Sequence, residues 1–133
     1  MKKIIFVALT ICALIISACT SSNKLEIAIG VAAKECPFTV DEYTTCVDIF
    51  SEGTNVVYKY VVDEDEFTVA DLNNSEGRAT LKNEIYLNIL ANDNKDVEDF
   101  YNLVKEAKYN IIFRFIGGST GESIDITIYH HEL

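Results

Sequence analysis

Val56-Val57-Tyr58-Lys59-Tyr60-Val61-Val62 is the stretch from which the architecture of this chain can be read. β-Branched and aromatic residues fill it, and such side chains fit a pleated, half-buried surface. In an extended chain successive side chains point to opposite faces, so Val56, Tyr58, Tyr60 and Val62 share one face, while Val57, Lys59 and Val61 share the other. The first set is predicted to face a core. Upstream, Thr44 to Phe50 has the same character, and Ser51-Glu52-Gly53-Thr54-Asn55 separates the two runs. Two such runs around a short Gly-containing connection read as a hairpin.

A second hairpin closes the chain. Ile111, Phe113 and Phe115 alternate with Ile112, Arg114 and Ile116, and Ile124, Ile126 and Ile128 alternate with Asp125, Thr127 and Tyr129 beyond the loop Gly117 to Glu122. Helical spacing occupies the region between the hairpins. Leu81, Ile85 and Ile89 recur every four residues in Ser75 to Leu90, with Tyr86 and Leu90 beside them. Val97, Phe100, Val104 and Ala107 form a stripe in Lys95 to Lys108, behind Asp93 or Asn94 as N-cap. The acids Asp96, Glu98 and Asp99 complement the positive end of that helix dipole. A further helix is predicted over Leu25 to Lys34, where Leu25, Ala28, Ile29 and Ala32 share a face, and Pro37 marks its boundary. The order (α)ββααββ predicts an α+β fold: an antiparallel sheet of about four strands with helices on one face.

The first nineteen residues concern location. Lys2 and Lys3 precede an apolar run from Ile4 to Ile16, and Ile16-Ser17-Ala18-Cys19 follows. A basic start, a short apolar core and small residues before a cut site make a secretory signal peptide, and the apolar core is too short to span a bilayer. The closing Cys19 resembles the lipobox of bacterial lipoproteins. That resemblance implies cleavage before Cys19, a thioether-linked diacylglycerol on its sulfur, and usually an acyl chain such as palmitate on the new amino terminus. Several chains on one residue hold a protein to a membrane, which a single chain does only marginally. The domains are then 1–18, leader; 19–24, lipidated tether; and 25–133, one α+β domain. Thr20 lacks the Asp that, in enterobacterial lipoproteins, retains the chain in the inner membrane. The expected location is the periplasmic side of the outer membrane.

Loss of residues 1–18 leaves 115 residues, and the formal charge of −10 becomes −12 without Lys2 and Lys3. Such a surface repels phosphate backbones, which argues against nucleic acid as a partner. Of four cysteines, Cys12 leaves with the leader and Cys19 is acylated, so Cys36 and Cys46 remain in an oxidising compartment. They are a candidate disulfide if Val40-Asp41-Glu42-Tyr43 turns the chain back, and buried free thiols if it does not.

Gly117-Gly118-Ser119-Thr120-Gly121 matches the G-x-S-x-G elbow of serine hydrolases, with Asp125 and His130 following in order. An elbow requires a helix after the serine on a large parallel sheet, whereas here a strand follows, so the stretch reads as a hairpin loop. No metal site and no cofactor are expected. His130 and His131 are neighbours that point apart on a strand. Asp63 to Glu66 lacks the alternation of a calcium loop, and Asn92, Asn94 and Asp96 are followed by Val97 where that loop needs glycine. The candidate binding face is the outer side of the sheet, where Lys59 and Arg114 project among Val57, Val61, Ile112 and Ile116, and to which the alternation assigns Tyr129. The alternative is that the helix at 25–34 covers that face.

Pro37-Phe38-Thr39-Val40-Asp41-Glu42-Tyr43-Thr44, then Tyr58-Lys59-Tyr60, then Phe113-Arg114-Phe115 before a glycine turn, together resemble a group of small, uncharacterised bacterial envelope proteins. The resemblance covers most of the mature domain and implies architecture without an activity. The expected function is that of a non-enzymatic, lipid-anchored module with an envelope protein partner, held to the membrane by its N-terminal lipid. The other reading is an acidic inhibitor or immunity-type lipoprotein that blocks a basic enzyme, motivated by the charge of −12.

Overall fold

The computed structural model describes residues 20–133, so the predicted leader and Cys19 lie outside the described residues. Helix α1 (Ser21–Ala33) is followed by strands β1 (Phe38–Thr39), β2 (Thr44–Glu52) and β3 (Asn55–Val62). Helices α2 (Val69–Leu72), α3 (Ser75–Ala91) and α4 (Lys95–Ala107) come next, then β4 (Asn110–Gly117), β5 (Ser123–Ile128) and a 3-10 turn, His130–Glu132. The α+β class and the order of helices and hairpins are as expected.

The strands lie side by side in chain order, β1 to β5. Both hairpins are antiparallel, but β3 and β4 run parallel, from Asn55 opposite Asn110 to Val62 opposite Gly117. The sheet is therefore mixed, for a physical reason. A tight turn reverses a strand, whereas the helices between β3 and β4 carry the chain back to the end where β3 began. The fifth strand, β1, is two residues long and pairs Phe38 with Cys46.

One core lies between the sheet and the helices. Val56, Tyr58, Tyr60, Ile111, Phe113 and Phe115 line its sheet side, and their alternation is the one read from the sequence. Tyr58 stacks on Phe113 with centroids 5.3 Å apart, and Tyr60 stacks on Phe115 at 5.0 Å. Phe100 of α4 meets Tyr58 edge-on at 6.3 Å. Leu25, Ala28, Ile29 and Ala32 of α1 join the same core, which places α1 with the other helices.

Helix α1 begins at Ser21, within the stretch assigned to the tether. Thr20 is its N-cap, its side chain accepting from Asn23 N–H at 3.3 Å. A hydroxyl there satisfies one of the amides that a helix start leaves free. Asn94 caps α4 in the same way, accepting from Asp96 and Val97 N–H. Gly77 lets α3 press against α2: a Cβ there would come within 2.5 Å of the Leu72 carbonyl oxygen.

Candidate functional site

The outer sheet face is left open, because α1 packs on the other side. Lys59 and Arg114 are cross-strand partners there, as the shared alternation requires. The Arg114 charge, however, is answered locally. Arg114 donates from Nε to Asp125 Oδ1 at 2.9 Å and from Nη2 to Asp125 Oδ2 at 3.1 Å, and Nη1 lies 3.5 Å from Glu52 Oε2. Asp48 stands opposite Lys59 on β2. The row Asp48, Lys59, Arg114, Asp125 is thus balanced, and with Glu52 the face is slightly acidic rather than cationic. Tyr129 belongs elsewhere. Its ring stacks on His131, and Lys82 Nζ of α3 lies 5.6 Å from its centroid, on the helix side.

Ser119, Asp125 and His130 go to separate partners. Asp125 holds Arg114, His130 Nδ1 lies 3.2 Å from Asn110 Oδ1, and Ser119 Oγ donates to Glu64 Oε1 at 3.0 Å. The Gly-rich loop is a receptor for that carboxylate. Glu64 Oε1 also accepts from Ser119 N–H at 3.1 Å, Thr120 N–H at 2.9 Å and Thr120 Oγ1 at 3.0 Å, while Oε2 accepts from Val69 N–H at 2.8 Å. Hydrogen bonds from the Thr120 and Val69 amides hold the Glu64 carboxyl down to about 2. Charge-assisted bonds of this kind favour the ionised form. Gly117 makes the approach feasible, since a Cβ there would overlap the carboxylate. Among the described residues no group of three or more His, Cys, Asp or Glu side chains is arranged to hold a metal ion.

Glu64 sits on the segment that leaves β3 and leads into α2, and its loop contact fixes one wall of a groove. This open groove, about 720 Å³ in volume, lies between that segment, α2, α3 and the start of β2. Its floor is apolar: Val62, Phe67, Val69, Leu81 and Phe115. Its rim is acidic: Asp41, Glu66, Asp71, Glu76 and Glu84, with neither Lys nor Arg among its lining residues. Burial against the apolar wall raises the pKa of Glu84. Thr80 and Glu84 line the groove on α3, and Leu87, one turn further along the same stripe, is 54% exposed. Residues three and four apart on a helix share a face, so Leu87 places an exposed apolar side chain on the stripe that Thr80 and Glu84 carry out of the groove. The sequence carries a sign of this that the stripe reading passes over: Leu87 falls off the Leu81, Ile85, Ile89 stripe, making α3 apolar on more than its core side. Nothing local in the sequence announces the Glu64 contact, which joins residues 55 positions apart.

The turn over residues 40–43 forms, with Val40 N–H donating to Thr44 O at 2.9 Å, and it folds β1 back along β2. Cys36 and Cys46 are thereby brought to 4.0 Å between sulfurs, as free thiols. Burial raises the pKa of both.

No protein-family model matches this chain, and no curated protein matches it in sequence. Solved structures do share its fold. The crystal structure of a candidate secreted protein from Pseudomonas aeruginosa matches with a TM-score of 0.61 at 11% identity, over 87% of this chain and 98% of that one. The pilotin of the type 2 secretion system of Vibrio vulnificus matches with a TM-score of 0.55 at 13% identity, over 84% and 94%. The type II secretion pilotin of Vibrio cholerae matches with a TM-score of 0.54 at 15% identity, over 85% and 95%. At these identities the likeness is one of fold.

Proposed function

We propose that this protein is a non-enzymatic envelope lipoprotein, anchored through Cys19 to the periplasmic side of the outer membrane, whose groove docks a segment of another envelope protein. The observation that carries the docking is an apolar floor ringed by acids. An occupant must cover the half-buried Phe67 and Leu72 with apolar side chains and meet Asp41, Asp71 and Glu84 with Lys or Arg, so it is an apolar segment with basic flanks. Burial of the apolar side chains supplies affinity, and the charged rim supplies orientation and encounter rate. The fold shared with two type II secretion pilotins supports a partner within an envelope assembly. The balanced charge of the outer face makes it the weaker docking surface.

A photo-crosslinking residue in place of Thr80, on the groove rim, and another in place of Ile116, on the outer face, separate the two surfaces in living cells. The expected adduct forms from Thr80 and maps to an apolar peptide bearing Lys or Arg. An adduct from Ile116 alone, or an acidic captured peptide, overturns the groove. The anchor has its own test. A fatty-acid analogue should label the parent protein and leave Cys19→Ala unlabelled; labelling of the variant overturns lipidation at Cys19.

A further inference from the structure

The geometry points to a fixed seat on the bilayer: the domain meets the lipid surface with the end formed by the start of α1, the Glu52–Asn55 turn and Lys108, so that the groove opens away from the membrane. This rests on lipidation of Cys19 and deepens that reading. Thr20 alone separates Cys19 from helix α1, and Thr20 is committed as the N-cap. Consecutive Cα atoms are about 3.8 Å apart, so a lipid on residue 19 is joined to the first helical residue by a chain of no more than roughly 8 Å.

Two contacts fix which way α1 runs. Glu26, near its start, accepts from Tyr109 Oη at 3.2 Å, and Tyr109 directly precedes β4. Cys36, just past its end, reaches Cys46 on β2. The start of α1 therefore lies where β3 and β4 begin, beside the β2–β3 turn, whose Thr54 carbonyl accepts from Asn110 N–H at 3.0 Å. The groove lies at the other end, since its floor includes Val62 and Phe115. From Asn55 to Val62 a strand at about 3.3 Å per residue spans roughly 23 Å.

Charge distinguishes the same two ends. Asp63, Glu64, Asp65 and Glu66 follow β3 at the groove end. At the lipid end, where Tyr86 Oη of α3 reaches the Glu132 carbonyl and α4 then begins, Asp93, Asp96, Glu98 and Asp99 join Glu26, Glu52 and Glu132, and Lys24, Lys82, Lys95, Lys105 and Lys108 offset these acids in part, so this end is acidic too but less so than the groove end. An anionic head-group layer favours the second end over the first. The groove is then presented to a partner approaching from the periplasm, clear of the lipid.

The chain has no tryptophan, so one introduced indole reports its own depth. Full-length acylated protein carrying Thr54→Trp, Asn23→Trp or Asp65→Trp is reconstituted in phosphatidylcholine–phosphatidylglycerol vesicles that contain brominated lipid. The expected result is quenching several-fold stronger for Thr54→Trp and Asn23→Trp than for Asp65→Trp. A Gly/Ser insert of about a dozen residues after Cys19, with a root-mean-square span of roughly 19 Å, should erase the difference. Acylated protein that floats with the vesicles yet shows equal quenching at all three positions, or stronger quenching for Asp65→Trp, overturns the orientation and leaves lipidation standing. A difference that survives the insert overturns the argument from tether length. Protein without acyl chains by mass, which fails to float, overturns both.

Discussion

Glu64 shows how one side chain can organise a surface. Its carboxylate joins the Gly-rich loop to the start of α2, so its ionisation is linked to folding. The folded pKa of about 2 lies below the usual 4.5, so the contribution to stability is present above about 4.5 and is lost as pH falls through about 2. Glu64→Gln is therefore expected to lower the melting temperature at neutral pH, and to flatten its decline on acidification relative to the parent. Melting curves across that range check both. An unchanged acid limb would remove the carboxylate from the account. The thiol pair gives a second expectation at this scale. In an oxidising compartment, as the proposed location implies, Cys36 and Cys46 should close, giving up two protons and two electrons to a disulfide-exchange oxidant. The loop is short, and the chain-entropy model assigns roughly 3 kcal/mol to such a bridge. Protein isolated without reductant should resist alkylation when denatured and label at both sites after reduction. Full labelling before reduction would leave the pair as packed thiols.

The elements divide into those whose pattern is local and those that are made by distant parts of the chain. Stripes such as Val97, Phe100 and Val104, and alternations such as Phe113 and Phe115, repeat within a few residues and are readable directly. Phe100 fills the core against Tyr58, and Phe100→Ala is expected to cost about 3–5 kcal/mol in chemical denaturation. Leu87→Ser, on the exposed track, should change stability by no more than about 0.5 kcal/mol while weakening capture through a crosslinker at Thr80. A large loss of stability would show that Leu87 belongs to the core. Less was legible where tertiary pairing decides. β1 is too short to carry a period, and the parallel pairing of β3 with β4 depends on where the intervening helices return the chain. The start of α1 was hidden for a different reason: Thr20 to Asn23 is polar enough to read as a tether, and only the capping geometry shows it to be helical. Lys59 and Arg114 were correctly assigned to one face. The Arg114–Asp125 ion pair and the placement of Asp48 opposite Lys59 needed the register, which sequence alternation leaves open.

At the scale of the molecule, charge and surface act together. A chain of formal charge −10, or −12 after the proposed cleavage, attracts basic segments over distances set by the Debye length, about 8 Å at physiological ionic strength. Raising salt should therefore slow association with a basic-flanked peptide far more than it speeds dissociation, because the apolar contacts in the groove are not screened. Stopped-flow rates over a salt series check this, and an association rate insensitive to salt would detach the acidic rim from recognition. The parallel pair at the centre of the sheet has a consequence for how the molecule comes into being. Residues 63–109 must all emerge before β4 can lie against β3, and closing a loop of that size costs roughly 3 kcal/mol of chain entropy. A polypeptide threaded through a membrane amino end first would present β1 to β3 early, with the pairing edge of β3 still bare. Such an edge is a template for intermolecular strand addition. The slow interval in the life of this protein is thus expected between delivery of its first hairpin and arrival of its last, when a holding chaperone has the most to protect.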